Sequence, residues 1–179
     1  MYRATVELSR QGHIVSYVQF PNADEPVLEE WQETLAAETR LLEAIGPQAG
    51  ELIFIGHSLG ALNFLYAAQV GALEAFFDRA LLVAPADPEF FLDSPIGQLT
   101  HEFEAVKAGL AAKTGGLSLV ASDNDKWLPR GIHASFADPL GVKPVVIEGG
   151  LHLAASDGWG PWIGVIDWVN DPSADLTRR

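Results

Sequence analysis

The sequence contains no cysteine and few positive charges. Among its 179 residues there is no Cys, which excludes disulfides, thiolate metal ligands and a cysteine nucleophile. Lys and Arg number 11 against 24 Asp and Glu, and the formal net charge is −13. A chain this acidic repels phosphate backbones and anionic lipids, so neither nucleic acid nor a membrane surface is expected as a partner.

Long apolar runs are also missing. No run approaches the roughly 18 residues that a membrane-crossing helix needs, and residues 1–7 lack the apolar core of a signal peptide. We therefore expect a cytoplasmic protein. Its length predicts a single domain over residues 1–179, held together by packing alone.

Short apolar runs rich in branched residues recur along the chain and predict buried strands. Four of them cover residues 52–55, 80–83, 117–120 and 145–147. A fifth predicted strand, residues 14–20, ends at the turn signal Pro21-Asn22.

Helical patterns lie between these runs. Residues 28–45 form an amphipathic pattern, and the apolar positions of residues 59–70 cover most of a helix surface. Alternating strands and helices predict an α/β fold, a doubly wound, mainly parallel sheet with helices on both faces. Residues 86–115, with a helix predicted over 101–112, interrupt the alternation of strands and helices. They indicate an insertion over the site or, alternatively, a crossover helix with a long entry loop.

The motif Gly56-His57-Ser58-Leu59-Gly60 lies between a predicted buried strand and a predicted buried helix. Such a turn strains the serine backbone and exposes its hydroxyl, and the two glycines are expected to remove collisions. Ser58 is therefore the candidate nucleophile, with the Leu59 N–H as the first oxyanion donor. The alternative is a tight turn with Ser58 as helix N-cap. His57 points away in such a turn and is expected to be structural.

A serine nucleophile needs a histidine base and a carboxylate that orients it, in the chain order Ser, acid, His for this type of sheet. Asp123 and Asp125 follow the third buried run, and His152 follows the fourth. Either aspartate could instead stabilise the loop. His133 competes with His152 but lies away from a strand end. His13 and His101 are interpreted as surface residues.

At these residues the chain resembles the small serine hydrolases that include bacterial YdeN and the human retinoblastoma-binding protein nine hydrolase. The resemblance covers nearly the whole chain. It is carried by Gly12-His13-Ile14-Val15, Phe20-Pro21-Asn22, Pro26 with Trp31, Gly56-His57-Ser58-Leu59-Gly60-Ala61, Ser122-Asp123-Asn124-Asp125 with Leu128-Pro129, and His152. The resemblance implies the α/β-hydrolase fold, a catalytic Ser58, Asp125 as the acid and His152 as the base.

The chain departs from this family in two places. Leu151 stands where the family usually has glycine before the histidine. The family's first strand, its His-Gly motif and its second oxyanion donor have no counterpart, and Met1 falls within the family's first helix. This implies a shortened chain or a re-paired sheet. In a re-paired sheet, the strand beside residues 52–55 would be the 14–20 strand, a new strand from residues 1–8, or a strand from a partner chain in a homo-oligomer.

The sequence thus predicts a serine hydrolase that cleaves a small carboxylic ester or amide through Ser58, Asp125 and His152. No cofactor or metal is implied. Trp127, Phe90 and Phe91 are candidates for the acyl pocket or, equally, for plain core. The alternative is a hydrolase-fold binding protein with weak or no turnover, because the second oxyanion loop is not visible.

Overall fold

The four apolar runs form one parallel sheet. The computed structural model describes residues 2–23, 25–45, 50–91, 93 and 102–179. Within them the sheet has the order β1-β2-β3-β4, with every neighbouring pair parallel. The strands are β1 Ile53–His57, β2 Arg79–Val83, β3 Leu117–Ser122 and β4 Val145–Ile147. The four predicted strands are therefore confirmed, with β1 and β3 ending two residues later than expected.

Helices connect and cover the strands. They are α1 Tyr2–Arg10, α2 Leu28–Ile45, α3 Leu59–Gln69, α4 Phe103–Lys113, α5 Asp138–Leu140 and α6 Ile163–Asn170. A π-helical turn, His133–Ala137, leads into α5, and Pro88–Phe91 and Ala155–Asp157 form short 3₁₀ helices. Within the described ranges, none of the helices has the length and apolarity to cross a bilayer.

Successive side chains along the strands of the sheet pack alternately into two hydrophobic cores, one on each face. Leu82 and Leu119 pack with buried residues of α2, α3 and α4 on one face. Leu81 and Val120 pack with residues of α1 and α6 on the other. Because successive strand residues point to opposite faces, a strand buried on both sides reads as a continuous apolar run. The result is the predicted doubly wound α/β fold.

The helix of the predicted insertion, α4, packs tightly on α3. A Cβ atom at Gly109 would lie only 1.9 Å from the carbonyl oxygen of Ala68, so the two helices approach at a distance that only glycine allows. Helix α4 lies between β2 and β3 in the chain. Residues 94–101 before it, including His101, lie outside the described residues.

Two predictions for the N-terminal region are wrong. Residues 14–20 form no strand and do not pair with β1, and residues 2–8 belong to helix α1 instead of a new strand. Ala4 and Leu8, one helical turn apart, are buried on one face of α1. Ile14 and Tyr17 are 62% and 50% exposed, so the 14–20 run lacks the packed surface on which β-propensity depends.

Strand β1 is consequently an edge in the part of the chain that the structure describes, with β2 as its partner there. A cavity of about 510 Å³ separates β1 from residues 13–18. Ile53 and Ile55 of β1 line it and are only partly buried. Completion of the sheet by a strand from a partner chain stays a prediction.

Candidate active site

Ser58 lies on a strained turn between β1 and α3. Its backbone has φ 54° and ψ −119°, a region that costs a non-glycine residue about 1–3 kcal/mol. The Ser58 N–H donates to the carbonyl oxygen of Val83 at 2.9 Å, which ties the turn to the end of β2. A Cβ at Gly56 would lie 2.7 Å from the Phe54 ring and 3.0 Å from the Ala61 backbone. The first glycine of the motif is therefore required by close packing.

The expectation for the second glycine is wrong. A Cβ at Gly60 would meet no atom within 4 Å beyond its chain neighbours and its own helix. Gly60 instead borders the cavity beside β1. Close contacts thus require glycine on the β1 side of Ser58 and do not require it on the α3 side.

The backbone N–H of Leu59 opens helix α3. Among the described residues it has no hydrogen-bond acceptor, whereas the N–H groups of Ala61 and Leu62 both donate to the Ser58 carbonyl. A free N–H at a helix N-terminus carries the positive end of the helix dipole. It can therefore donate to an anion that forms beside Ser58.

Asp125 and His152 meet at the same edge of the sheet. Asp125 Oδ2 lies 2.8 Å from His152 Nδ1, and Asp125 Oδ1 accepts the Trp127 N–H at 2.9 Å. The Asp125 side chain is fully buried and that of His152 is 18% exposed. Because a carboxylate only accepts hydrogen bonds, Nδ1 of His152 carries the proton, and in the neutral ring Nε2 keeps its lone pair.

Asp123 has a different partner. Its carboxylate accepts the Gly149 N–H at 2.8 Å. Two neighbouring side chains act in parallel, since Ser122 Oγ accepts from the Gly150 N–H and Asn124 Oδ1 from the Leu151 N–H, each at 2.8 Å. Three consecutive side chains, at the end of β3 and just after it, thus hold three consecutive backbone N–H groups of the loop before His152.

Leu151 takes the conformation that glycine would adopt. Its φ is +58°, and Leu153 on the other side of His152 has φ +52°. Left-handed geometry costs an ordinary L-residue roughly 1–2 kcal/mol. The hydrogen bond from the Leu151 N–H to Asn124 fixes this geometry, so the loop keeps its shape although the family's glycine is absent.

Of the three other histidines that the structure describes, two lie apart from this pair. His133 is 63% exposed and lies 3.4 Å from Asp138, and His13 contacts Asn170 on the surface. His57, however, contacts the backbone of His152: its Nε2 lies 2.9 Å from the His152 carbonyl oxygen, and the two rings are 4.8 Å apart. Ser58 Oγ makes no hydrogen bond to any described residue.

Aromatic rings border His152 on one side. The Trp127 ring lies 6.4 Å from the His152 ring, and Phe90 packs edge-on against Trp127 at 5.9 Å. Phe90 is 54% exposed, so this pair presents an accessible apolar surface beside the imidazole. The placement of the Phe91 side chain lies outside what the structure describes.

An ion pair between the buried Asp87 and the partly exposed Arg130, which sequence patterns did not reveal, holds the loop of Asp125. Asp87, 1% exposed, accepts two hydrogen bonds from Arg130 at 2.7 Å and one from Ser135 at 3.1 Å. The Asp87 N–H donates to the Trp127 carbonyl at 2.8 Å. No local signal marks this cluster, because its members are 40 to 48 residues apart and an Asp before Pro ordinarily indicates only a turn.

The Asp87 cluster predicts a pH-dependent loss of stability. Burial alone would raise the pKa of Asp87, but the hydrogen bonds from Arg130, the Glu89 N–H and Ser135 outweigh it and lower the pKa. A lowered pKa in the folded state gives stability that is complete above the unfolded value of about 4 and is lost as the pH falls through the folded value.

Replacing Asp87 with Asn should therefore reduce the free energy of unfolding at pH 7 by about 1–3 kcal/mol, because the buried side chain loses its charge-assisted hydrogen bonds with Arg130. Urea denaturation at pH 7 and pH 3 measures the difference between variant and wild type. This difference should be smaller at pH 3 than at pH 7. An equal difference at both pH values would show that the charge of Asp87 has no part in it.

Comparison with known proteins identifies the family. The sequence matches the model of the serine hydrolase family over residues 5–170, so the chain belongs to that family. No curated protein matches it significantly.

Two solved structures have the same fold. The ydeN gene product of Bacillus subtilis superposes with a TM-score of 0.73 at 18% identity, over 93% of this chain and 86% of that one. A protein from Pectobacterium atrosepticum assigned to the YdeN-like hydrolases gives 0.62 at 21% identity, over 91% and 77%. The α/β-hydrolase fold expected from the sequence is thereby confirmed.

Proposed function

We propose that this protein hydrolyses carboxylic esters or amides through an acyl-enzyme on Ser58. The observation that carries the proposal is the 2.8 Å contact of the buried Asp125 carboxylate with Nδ1 of His152, on loops that leave the sheet at the same edge as the strained Ser58 turn. This contact leaves Nε2 as the basic nitrogen of the pair. Membership in the serine hydrolase family supports the same conclusion.

The reaction follows from these roles. Ser58 Oγ attacks the substrate carbonyl carbon while His152 Nε2 takes its proton, and the Leu59 N–H stabilises the resulting oxyanion. The carbon–oxygen or carbon–nitrogen bond then breaks, and the leaving group takes the proton from His152. Water attacks the acyl-enzyme by the same route and releases the acid. Catalytic hydrogen bonds of this kind often tighten only when substrate binds.

The aromatic surface beside His152 favours substrates with an apolar group. The Trp127 ring lies 6.4 Å from the imidazole and Phe90 packs against Trp127. Such surfaces bind alkyl and aryl groups through dispersion and burial. Esters with short acyl chains and aryl leaving groups are therefore suitable first substrates.

A binding protein with little turnover is the second candidate. Strand β1 has an open side among the described residues, and Leu59 supplies one oxyanion donor. Loss of a single donor lowers kcat by about 10²- to 10³-fold in serine hydrolases. This candidate predicts slow turnover even if Ser58 is activated.

Trapping the acyl-enzyme tests the proposal. The protein is mixed with p-nitrophenyl butyrate, quenched in acid and analysed by mass spectrometry. We expect one butyryl group on the peptide that contains Ser58, and none in Ser58→Ala. Ser173→Ala, which removes an exposed hydroxyl bonded to Asp171, serves as the matched control and should retain the adduct. An adduct that persists in Ser58→Ala would overturn the assignment.

A further inference from the structure

The residue before the nucleophile contacts the loop of the proposed base. His57 Nε2 lies 2.9 Å from the backbone carbonyl oxygen of His152, across 95 residues of sequence. Because a carbonyl oxygen only accepts hydrogen bonds, Nε2 of His57 carries the proton and donates it. The two rings pack edge to face with their centroids 4.8 Å apart.

The backbone around His152 needs such support. Leu151 and Leu153, its two neighbours, both have left-handed backbone conformations, which persist only where surrounding contacts enforce them. The His152 N–H is held by Asp157 Oδ2 at 3.1 Å. His57 holds the carbonyl, so both polar backbone groups of this residue are fixed by side chains.

We propose that His57 is a positioning residue: its Nε2–H bond to the His152 carbonyl fixes the imidazole of the base relative to Ser58, one residue further along. This rests on the proposed function and extends it to a residue that sequence patterns assigned only a structural part. The bond connects the β1 turn directly to the loop after β4, so it sets the spacing between the nucleophile and its base.

The protonation behaviour of His57 suits this role. Burial lowers its pKa to about 4, against an opposing effect of its hydrogen bond to His152. The ring therefore stays neutral near pH 7 and adds no positive charge beside an imidazolium forming on His152.

Three substitutions separate positioning from packing. His57→Gln keeps a donor where Nε2 lies, His57→Asn keeps an amide that is too short to reach, and His57→Phe keeps the ring without a donor. In the Asn and Phe variants we expect kcat for p-nitrophenyl butyrate to fall by about 10- to 100-fold with KM nearly unchanged. Small displacements of a catalytic group cause losses of this size. The Gln variant should stay within about threefold of wild type for the same geometric reason.

A second readout does not depend on turnover. The proton between His152 Nδ1 and Asp125 should give a downfield NMR resonance, assigned by its loss in His152→Ala. We expect this resonance to persist in His57→Gln and to broaden or disappear in His57→Asn. Equal spectra and rates for wild type and the Asn variant would overturn the proposal, and so would equal damage in Gln and Asn. If wild type shows the resonance but no acyl-enzyme, the proposed function fails while the NMR comparison still decides the role of His57.

Discussion

Replacing His152 with alanine should lower kcat for ester hydrolysis by about 10⁴- to 10⁶-fold. Without the imidazole, nothing takes the proton from Ser58 Oγ, and a serine hydroxyl is a weak nucleophile at neutral pH. The side chain is mostly buried and its ring contacts Asp125, His57 and Trp127. A change in thermal stability therefore has to be measured alongside the rate.

His133→Ala is the matched control for this variant. His133 is exposed, and its imidazole lies 3.4 Å from the Asp138 carboxylate on the next turn. Both variants remove an imidazole from the same acidic protein, so charge and composition change equally. We expect His133→Ala to keep the wild-type kcat. A similar loss in both variants, or full activity in His152→Ala, would exclude His152 as the base.

Replacing Asp125 with asparagine should lower kcat by about 10⁴-fold, close to the effect of the corresponding change in other serine hydrolases. The reason lies in the two hydrogen bonds of the carboxylate. Its Oδ1 accepts the Trp127 N–H, so the single oxygen of an asparagine would be engaged there. The amide NH₂ would then face His152 Nδ1 and favour the tautomer with its proton on Nε2, which cannot accept the proton of Ser58.

Asp123→Asn carries the same chemical change two residues away. Asp123 accepts the Gly149 N–H through one oxygen, and an asparagine can supply that oxygen equally well. The kinetics of this variant should therefore stay within a few fold of wild type. Steady-state assays on both variants, with circular dichroism as a check of folding, decide between the two aspartates. A larger loss of kcat for Asp123→Asn than for Asp125→Asn would show that Asp123, and not Asp125, is the acid.

Much of the fold was predictable because it depends on local patterns. The buried runs of β1 to β4 and the apolar periods of α2 and α3 each carry their own signal within a few residues. The same is true of the Ser58 turn, which lies between a strand and a helix. The error at residues 14–20 has a physical reason, since strand-forming residues make a strand only where a neighbouring strand accepts their hydrogen bonds.

The contacts that hold the site could not be predicted in this way. Asp87 binds Arg130, Ser122 binds the Gly150 N–H, and His57 binds the His152 carbonyl, across 43, 28 and 95 residues. Each pair meets only because parallel strands bring their carboxyl ends to one edge of the sheet. The order of Ser, Asp and His along the chain indicated the candidate residues, whereas the groups that orient them became visible only in three dimensions.

Labelling with a fluorophosphonate probe tests the central claim most directly, because it asks whether Ser58 is an activated nucleophile without requiring a known substrate. The wild-type protein should incorporate one phosphonate per chain, and peptide mapping should place it on Ser58. Ser58→Ala should remain unlabelled, and His152→Ala should react far more slowly. Equal labelling of wild type and Ser58→Ala, or a phosphonate mapped to another serine such as Ser135, would contradict the account.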